Sequence, residues 1–410
     1  MKKTAKRNQN QAQSLHNLLS PAQVQEDLME RCKLAALRIG TDLLEEEVRA
    51  LCGAEYSRKG EGQCYRGGSD RTRIIIDGGK FSITRPRVRN ETGEVQLDML
   101  DKLQHQDLLD EKMKRAMISG VSSRQYHEVV QGYSDKLSVS KSSVSRAFTR
   151  ASQKDLDAIN GSELSEHSFV ALMLDGFEIG GQMIIAALGI TNKMEKIPLG
   201  LKEGSSENAE VTTDLLTSIK ERGFTTATSF FLAVIDGSKA LRKALKRVFG
   251  DRVLIQRCWL HKLRNLKKYV PDKLHGTLLW RLKKIMNLTS LADAEKEMDS
   301  FARWLEGVSH GALESLKETA GELLTLHALG TTGILRRSLN NTNMIESMIA
   351  GARRRLRKVT KLSPKSNQRL RWAASSILAQ QKGFQRLRGY KDAPGLIAAL
   401  TDFKLESLAA

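Results

Sequence analysis

No stretch of this 410-residue chain reaches the roughly 18 consecutive apolar residues that cross a bilayer as a helix. The N-terminus, MKKTAKRNQNQAQSLHNLLS, is basic but lacks the apolar core of a signal peptide. Both absences point to a soluble cytoplasmic protein with no membrane partner. Cysteine is scarce: Cys32, Cys52, Cys64 and Cys258 are too few in so long a chain for a disulfide scaffold. No internal repeat or low-complexity tract is visible. One further lack is local. From Ser347 to Lys391 there is no Asp or Glu, against thirteen Lys and Arg.

That basic run belongs to a basic chain, with 66 Lys and Arg, 47 Asp and Glu, and a net charge of +19. Such an excess destabilises by self-repulsion and calls for a polyanion, with nucleic acid as the first candidate and an anionic membrane surface as the second. An apolar content of 40% supports one large core or two to three smaller ones.

The periodicity divides the chain. Residues 1–20 read as a disordered basic tail. Residues 21–98 read as a helical region, broken at Gly40, followed by a glycine- and arginine-rich loop and a β-hairpin about Asp77-Gly78-Gly79. The second hairpin strand ends in Arg85, Arg87 and Arg89. Residues 99–160 read as helical, with a helix-turn-helix-like pair for DNA. Ser140 caps its second helix, Val144, Ala147 and Phe148 face inward, and Lys141, Ser142, Ser145 and Arg146 are exposed. A plain helical hairpin fits that pattern equally well.

After Ser162 the texture becomes α/β. Strands are expected at 169–177, 183–190 and 197–201. A helix capped by Ser205 or Ser206 and stopped by Gly223 follows, then the strand FFLAVIDGS, the helix KALRKALKRVFG and the strand RVLIQRCW. The order β-β-β-α-β-α-β gives a mixed sheet. Residues 261–334 read as an all-α insertion ending before a loop, GTTGILRRSLNNTN. Trp280 and Trp304 are expected in its core. Residues 335–375 return to the sheet domain begun at 161–260, and 376–410 form a helical tail.

Asp175 in LMLDGF and Asp236 in AVIDGS each end an apolar strand. Each alone also reads as the cap of an Asp-Gly turn. As a pair on neighbouring strands they repel unless a cation lies between them, and Mg²⁺ suits hard oxygen ligands. In NNTNMIESMIAGARRRLRK, Ile345, Met348, Ile349, Ala352, Leu356 and Val359 make one apolar stripe. Glu346 lies at its edge, and Ala350, Arg353, Arg357 and Lys361 continue the row of Glu346. One acid then holds a metal while Arg353, Arg354, Arg357 and Lys361 follow a phosphate backbone. An exposed Glu on a basic amphipathic helix is the plainer alternative.

The stretches LDGFEIGGQMIIAALGI, PLGLKEGSSENAEV, IDGSKAL, QRCWLHKLRN and NTNMIESM together resemble the Mutator-type transposases of bacterial insertion sequences. GVSSRQY, which contains Arg124, and SKSSVSR are weaker matches upstream. The lead-in RRSLNNTN lacks the aromatic character usual in that family. The resemblance implies an RNase H-like catalytic domain with Asp175, Asp236 and Glu346 as its acidic triad. It also implies two Mg²⁺ or Mn²⁺ ions, Asp175 bridging both, and phosphoryl transfer that cleaves and joins DNA strands. No Ser or Tyr nucleophile is needed. The partners it implies are the element's terminal inverted repeats and target DNA, handled by a dimer or higher oligomer in the bacterial nucleoid. Cys258 and His261 match the family's Cys-x-x-His signature. That is half a zinc site by spacing, but no second half is evident, and a supporting role for Cys258, His261, Arg257 and Asn265 fits better. Arg257 and Asn265 also read as possible DNA contacts. Two rivals stand: an RNase H-like nuclease that cuts without joining, and a non-catalytic DNA-binding regulator.

Overall fold

A computed structural model describes residues 20–54, 64–76, 79–104, 107–123, 126, 141–204, 208–357, 359, 362–363 and 366–404. The chain divides into two compact units, Met1–Ala151 and Ser152–Ala410.

In the first unit Ser20 opens helix α1 (Pro21–Cys52) with a reciprocal capping box to Gln23. The helix runs unbroken through Gly40, where a break was expected. A Cβ there would lie 3.1 Å from Ile74 Cδ1, so the glycine serves close packing on a strand. That strand is β1 (Cys64–Ile76), paired antiparallel with β2 (Gly79–Asn90), which pairs in turn with β3 (Gly93–Val95). The Gly- and Arg-rich stretch expected to be loop is therefore strand from Cys64 onward. A register shift between Arg66 and Ser69 absorbs its two glycines. Leu44, Val48, Ile74, Phe81, Ile83 and Val88 form the core. Of the expected basic row, Arg85 is bound to Asp70 and Arg87 to Glu94.

Helices α2 (Asp98–Gln104) and α3 (Asp107–Ile118) follow, then α4 (Lys141–Gly161), within which the two units divide. Val144 and Ala147 are buried against Met113 and Tyr126, and Phe148 is buried too. Arg150 grips the buried Asp110 with two hydrogen bonds of 2.7 Å. Ser140 and most of the expected first helix of the pair lie outside the described residues.

The second unit is built on a five-stranded sheet in the order β6-β5-β4-β7-β8. β4 (Phe169–Ile179), β5 (Gln182–Thr191) and β6 (Lys196–Gly204) form an antiparallel meander. β7 (Phe231–Ile235) and β8 (Val253–Arg257) add in parallel beside β4. Helix α5 (Ala209–Glu221) lies between β6 and β7, and α6 (Lys239–Phe249) between β7 and β8, giving the expected element order. Asn208, not Ser205 or Ser206, caps α5: its amide oxygen accepts from the N–H groups of Glu210 and Val211. α5 and α6 cover one face of the sheet, packing Leu215, Leu216, Leu241 and Leu245 on Leu172, Leu174, Ala233 and Ile235.

After β8 the described chain is helical: α7 (Trp259–Lys267), α8 (His275–Asn287), α9 (Leu291–Glu306), α10 (His310–Lys317), α11 (Ala320–Leu323) and α12 (Thr325–Ala328). Leu266, Leu278, Leu282, Phe301, Leu305 and Leu316 give this segment a core of its own. Two expectations fail here. Trp280 is 60% exposed, with Lys284 Nζ 5.7 Å from the ring centroid; it is a surface residue because the buried positions of α8 are Leu278, Leu282 and Ile285. The stretch expected to be loop contains a helix, α13 (Gly333–Leu339), whose Leu335 and Leu339 are buried one turn apart. Trp304 is partly buried against Phe301.

Helix α14 (Asn343–Leu356) packs on β4 and β5, across the sheet face opposite α5 and α6. Helix α15 (Gln368–Gln381) packs on α14 and β6. Gly351 makes their contact possible: a Cβ there would stand 1.7 Å from Gln380 Oε1. The buried Arg369 ties α15 to Glu203 of β6 at 2.9 Å. Helix α16 (Ala393–Asp402) closes the described chain. Among the described residues no helix is long and apolar enough to cross a membrane.

Candidate active site

The pairing of β4 with β7 sets the geometry. Met173 is the partner of Val234. Two residues further along each chain come Asp175 and Asp236, so alternation puts both carboxylates on the same face, side by side. That face is opposite Leu172, Leu174, Ala233 and Ile235, and so belongs to the α14 side. Asp175 does not end its strand, as expected, because the hairpin with β5 carries β4 on to Ile179. It sits where β7 stops and β4 loses its parallel neighbour.

Asp236 follows the last residue of β7. Its Oδ1 accepts from the N–H of Ser238 at 2.8 Å, an Asx turn that leads into α6. Its backbone carbonyl accepts from Arg257 Nη1 at 2.9 Å. Arg257 is itself buried and donates from Nε to Glu322 at 2.6 Å. Its burial corrects the reading of Arg257 as a DNA contact. Asn265 approaches the next residue: its Nδ2 would be 3.3 Å from a Cβ on Gly237.

Glu346 lies in the first turn of α14, and Arg353, Arg354 and Arg355 lie in the last. An acid at the positive end and bases at the negative end complement the helix dipole, by about 0.3–1 kcal/mol each. Arg353, Arg354 and Arg357 are exposed, and the Arg353 guanidinium lies 5.8 Å from the centroid of Phe177, two residues beyond Asp175. Arg355 is turned to α15, donating to the Ser376 carbonyl. The helix ends at Leu356, so Val359 is not part of its stripe, and Lys361 lies outside the described residues. In the first unit Lys141, Ser142, Ser145 and Arg146 are exposed on α4, and Arg124 lies outside the described residues.

A polar cluster backs Glu346. The buried Thr342 donates to Glu346 Oε1 at 2.7 Å. Thr342 Oγ1 is also 3.4 Å from Cys258 Sγ and 3.3 Å from His261 Nδ1. His261 Nδ1 stands 3.8 Å from Glu346 Oε1. The hydrogen bond to Cys258, and then the charges of Cys258, Asp236 and Glu346, raise the imidazole above its ordinary pKa against the effect of burial. Burial pushes the Cys258 thiol up, but hydrogen bonds from His261 and Thr342 outweigh it and hold it low. Thr342 was missed in the sequence, although its spacing of four residues before Glu346 was the available signal.

Asp175, Asp236 and Glu346 supply hard oxygen donors of the kind that Mg²⁺ or Mn²⁺ takes. In-register aspartates beneath a helix carrying the third carboxylate fit such an ion by donor chemistry. Among the described residues, no three of His, Cys, Asp and Glu already stand close enough to hold a metal.

The sequence pattern described for the family "Transposase, Mutator family" matches residues 2–384. The transposase for insertion sequence element IS1201 of Lactobacillus helveticus is 27% identical over 319 residues, covering 75% of this chain and 83% of that protein. The transposase for IS256 in transposon Tn4001 of Staphylococcus aureus is 26% identical over 321 residues, 76% of this chain and 79% of the relative. The transposase for IS6120 of Mycolicibacterium smegmatis is 26% identical over 260 residues, 62% and 78% respectively. With almost the whole sequence matched, the chain belongs to the Mutator family of transposases.

Proposed function

We propose that this chain cleaves and joins DNA strands at the ends of its own insertion sequence by metal-dependent phosphoryl transfer. The observation that carries the reading is the register of β4 and β7, which sets Asp175 beside Asp236 under the helix bearing Glu346. The sheet order, three antiparallel strands followed by two parallel ones, supports an RNase H-like catalytic domain.

Asp175, Asp236 and Glu346 would hold Mg²⁺ or Mn²⁺, two ions per site. Bound there, the metal supplies activation of the attacking oxygen and stabilisation of the leaving oxygen. The rest is done by the chain. Thr342 orients Glu346. Arg257 fixes the turn after Asp236. Cys258, His261 and Asn265 brace the same corner, and Arg353, Arg354 and Arg357 bind phosphates beside it. Lys141, Ser142, Ser145 and Arg146 on α4, with Arg124, contact the terminal repeats, and Lys361 extends the phosphate track. Two DNA ends are processed together, so the working form is at least a dimer on DNA, in the bacterial nucleoid.

The test uses duplexes taken from either side of the reading frame, with Mg²⁺ or Mn²⁺ and purified protein. Metal-dependent cuts at the edges of an inverted repeat are expected, and none with Asp236→Asn. Asp175→Asn and Glu346→Gln are expected to abolish cleavage while keeping DNA binding. Full cleavage by any of the three variants overturns the assignment. Absence of strand-transfer product would reduce the protein to a nuclease, and binding with no cleavage to a regulator.

A further inference from the structure

A second basic site lies at the far end of the sheet. A cavity of about 1000 Å³ is lined by Lys196, Ile334, Phe384, Arg386, Arg388 and Tyr390, with Glu195 at its wall. Glu195 and Lys196 follow β5, whose Thr191 pairs with Phe169, whereas Asp175 pairs with Ala186. The cavity is thus about 20 Å along β4 from the acid pair.

Its chemistry is cationic and aromatic together. Lys196 Nζ lies 5.8 Å from the Phe384 ring centroid, and the Arg386 guanidinium 6.0 Å from that of Tyr390. Glu195 is the acid facing them, and it is engaged by Arg386 at 3.6 Å. Among the described residues Lys196 and Arg388 have no carboxylate partner. Lys196 is half-buried, and burial lowers its pKa, so an anion arriving there meets a poorly hydrated ammonium. Ile334 and Tyr390 expose 50% and 46% of their surfaces. The segment is held in place: Leu387 N–H donates to the Met194 carbonyl at 2.9 Å, and Ser338 Oγ donates to the Arg388 carbonyl at 3.1 Å. Exposed ring faces beside unneutralised cations are the features by which unpaired nucleic-acid strands are bound.

We infer that this cavity takes one unpaired nucleotide of a DNA strand, its phosphate between Lys196 and Arg388 and its base against Tyr390 and Phe384. The inference rests on the reading of the chain as acting on DNA. It deepens that reading by adding a strand-holding site remote from the acids.

The test is a photocrosslink of the full-length protein to a single-stranded oligonucleotide carrying one 4-thiothymidine, without divalent metal. Labelling of residues 384–390 is expected, at least fivefold weaker in the double variant Lys196→Met, Arg388→Met. Arg388→Met alone, at an exposed position, serves if the double variant does not fold. Labelling confined to other peptides, or undiminished on residues 384–390 in the variants, overturns the inference. Excess dTMP should protect far less than excess unlabelled oligonucleotide. Equal protection would assign the cavity to a free nucleotide and overturn the strand. The crosslink needs neither metal nor cleavage, so its failure is separate from failure of the Asp175, Asp236 and Glu346 assignment.

Discussion

Thr342 donates to Glu346 Oε1 at 2.7 Å while its oxygen lies within 3.4 Å of both Cys258 Sγ and His261 Nδ1. One hydroxyl has one proton, and the closest acceptor is the carboxylate. Cys258 and His261 enclose the same hydroxyl at the longer distances, and the cluster fixes which way Glu346 points. A hydrogen bond to a charged group contributes about 1.5–3 kcal/mol. Thr342→Val is therefore expected to lower cleavage at least tenfold and to weaken Mn²⁺ binding measured by calorimetry. Thr342→Ser should retain both, and wild-type behaviour of the valine variant would refute the orienting role.

Arg353, Arg354 and Arg357 at the end of α14 are exposed, and Arg353 lies against Phe177, two residues beyond Asp175. Phosphate contacts release counterions, so each adds roughly 0.9 to the slope of log affinity against log salt. Replacing Arg353, Arg354 and Arg357 with Gln should flatten that slope and weaken binding to all sequences alike. Altering Lys141, Ser142 or Arg146 should instead relax the preference for terminal repeats. Electrophoretic shifts at several salt concentrations, with repeat and random duplexes, separate the two outcomes.

Arg257 is buried and shares Glu322 with Arg242. Removing one partner of a buried pair costs about 3–5 kcal/mol. Because Glu322 keeps Arg242, Arg257→Met should fall near the lower end of that range, read by urea denaturation. A change under about 0.5 kcal/mol, the size expected of an ordinary surface substitution, would show that the pair does not secure the turn after Asp236.

His327 is buried in α12, and burial, with the charge of Arg336 adding to it, lowers its pKa to about 4. The unfolded chain, with its ordinary value of 6.5, binds the proton more readily. Stability from the neutral ring is complete above pH 6.5 and is lost as pH falls towards 4, by up to about 3 kcal/mol. The melting temperature of His327→Gln should fall less steeply between those pH values than that of the unsubstituted protein. Parallel curves would refute the assignment.

The sheet was legible because its strands are nearly continuous apolar runs, each followed by an abrupt polar turn, as in FLAVI before Asp236. The inward face of α4 was legible for a similar reason: Val144, Ala147 and Phe148 repeat at helical spacing. Other features depend on contacts that only the fold creates. Gly40 read as a break because its reason, Ile74, lies on another element. α13 was hidden because its two buried leucines are separated by Arg336, Arg337 and Ser338. Trp280 was assigned inward by residue type, yet the apolar stripe of α8 passes beside it. The neighbourhood of Asp175 and Asp236 followed once their strands were adjacent; Thr342 sits one helical turn before Glu346, but its contacts with Cys258 and His261 join segments far apart in sequence, which no local pattern exposes.

The helical segment leaves the sheet at Cys258 and returns at Thr342, and the two ends touch. Trp259 N–H donates to the Asn340 carbonyl at 3.1 Å, beside the contact of Thr342 with Cys258. The helices between are closed at this neck, and the last of them are also tied to β8: Gln256 Nε2 donates to the Leu323 carbonyl at 3.0 Å and Thr325 Oγ1 to the Ile255 carbonyl at 2.6 Å. Closing a longer or shorter loop across fixed ends changes the entropy only slowly with length. The helical segment is therefore free to vary in size between related chains while Asp236 and Glu346 keep their places, provided Arg257 still meets a carboxylate.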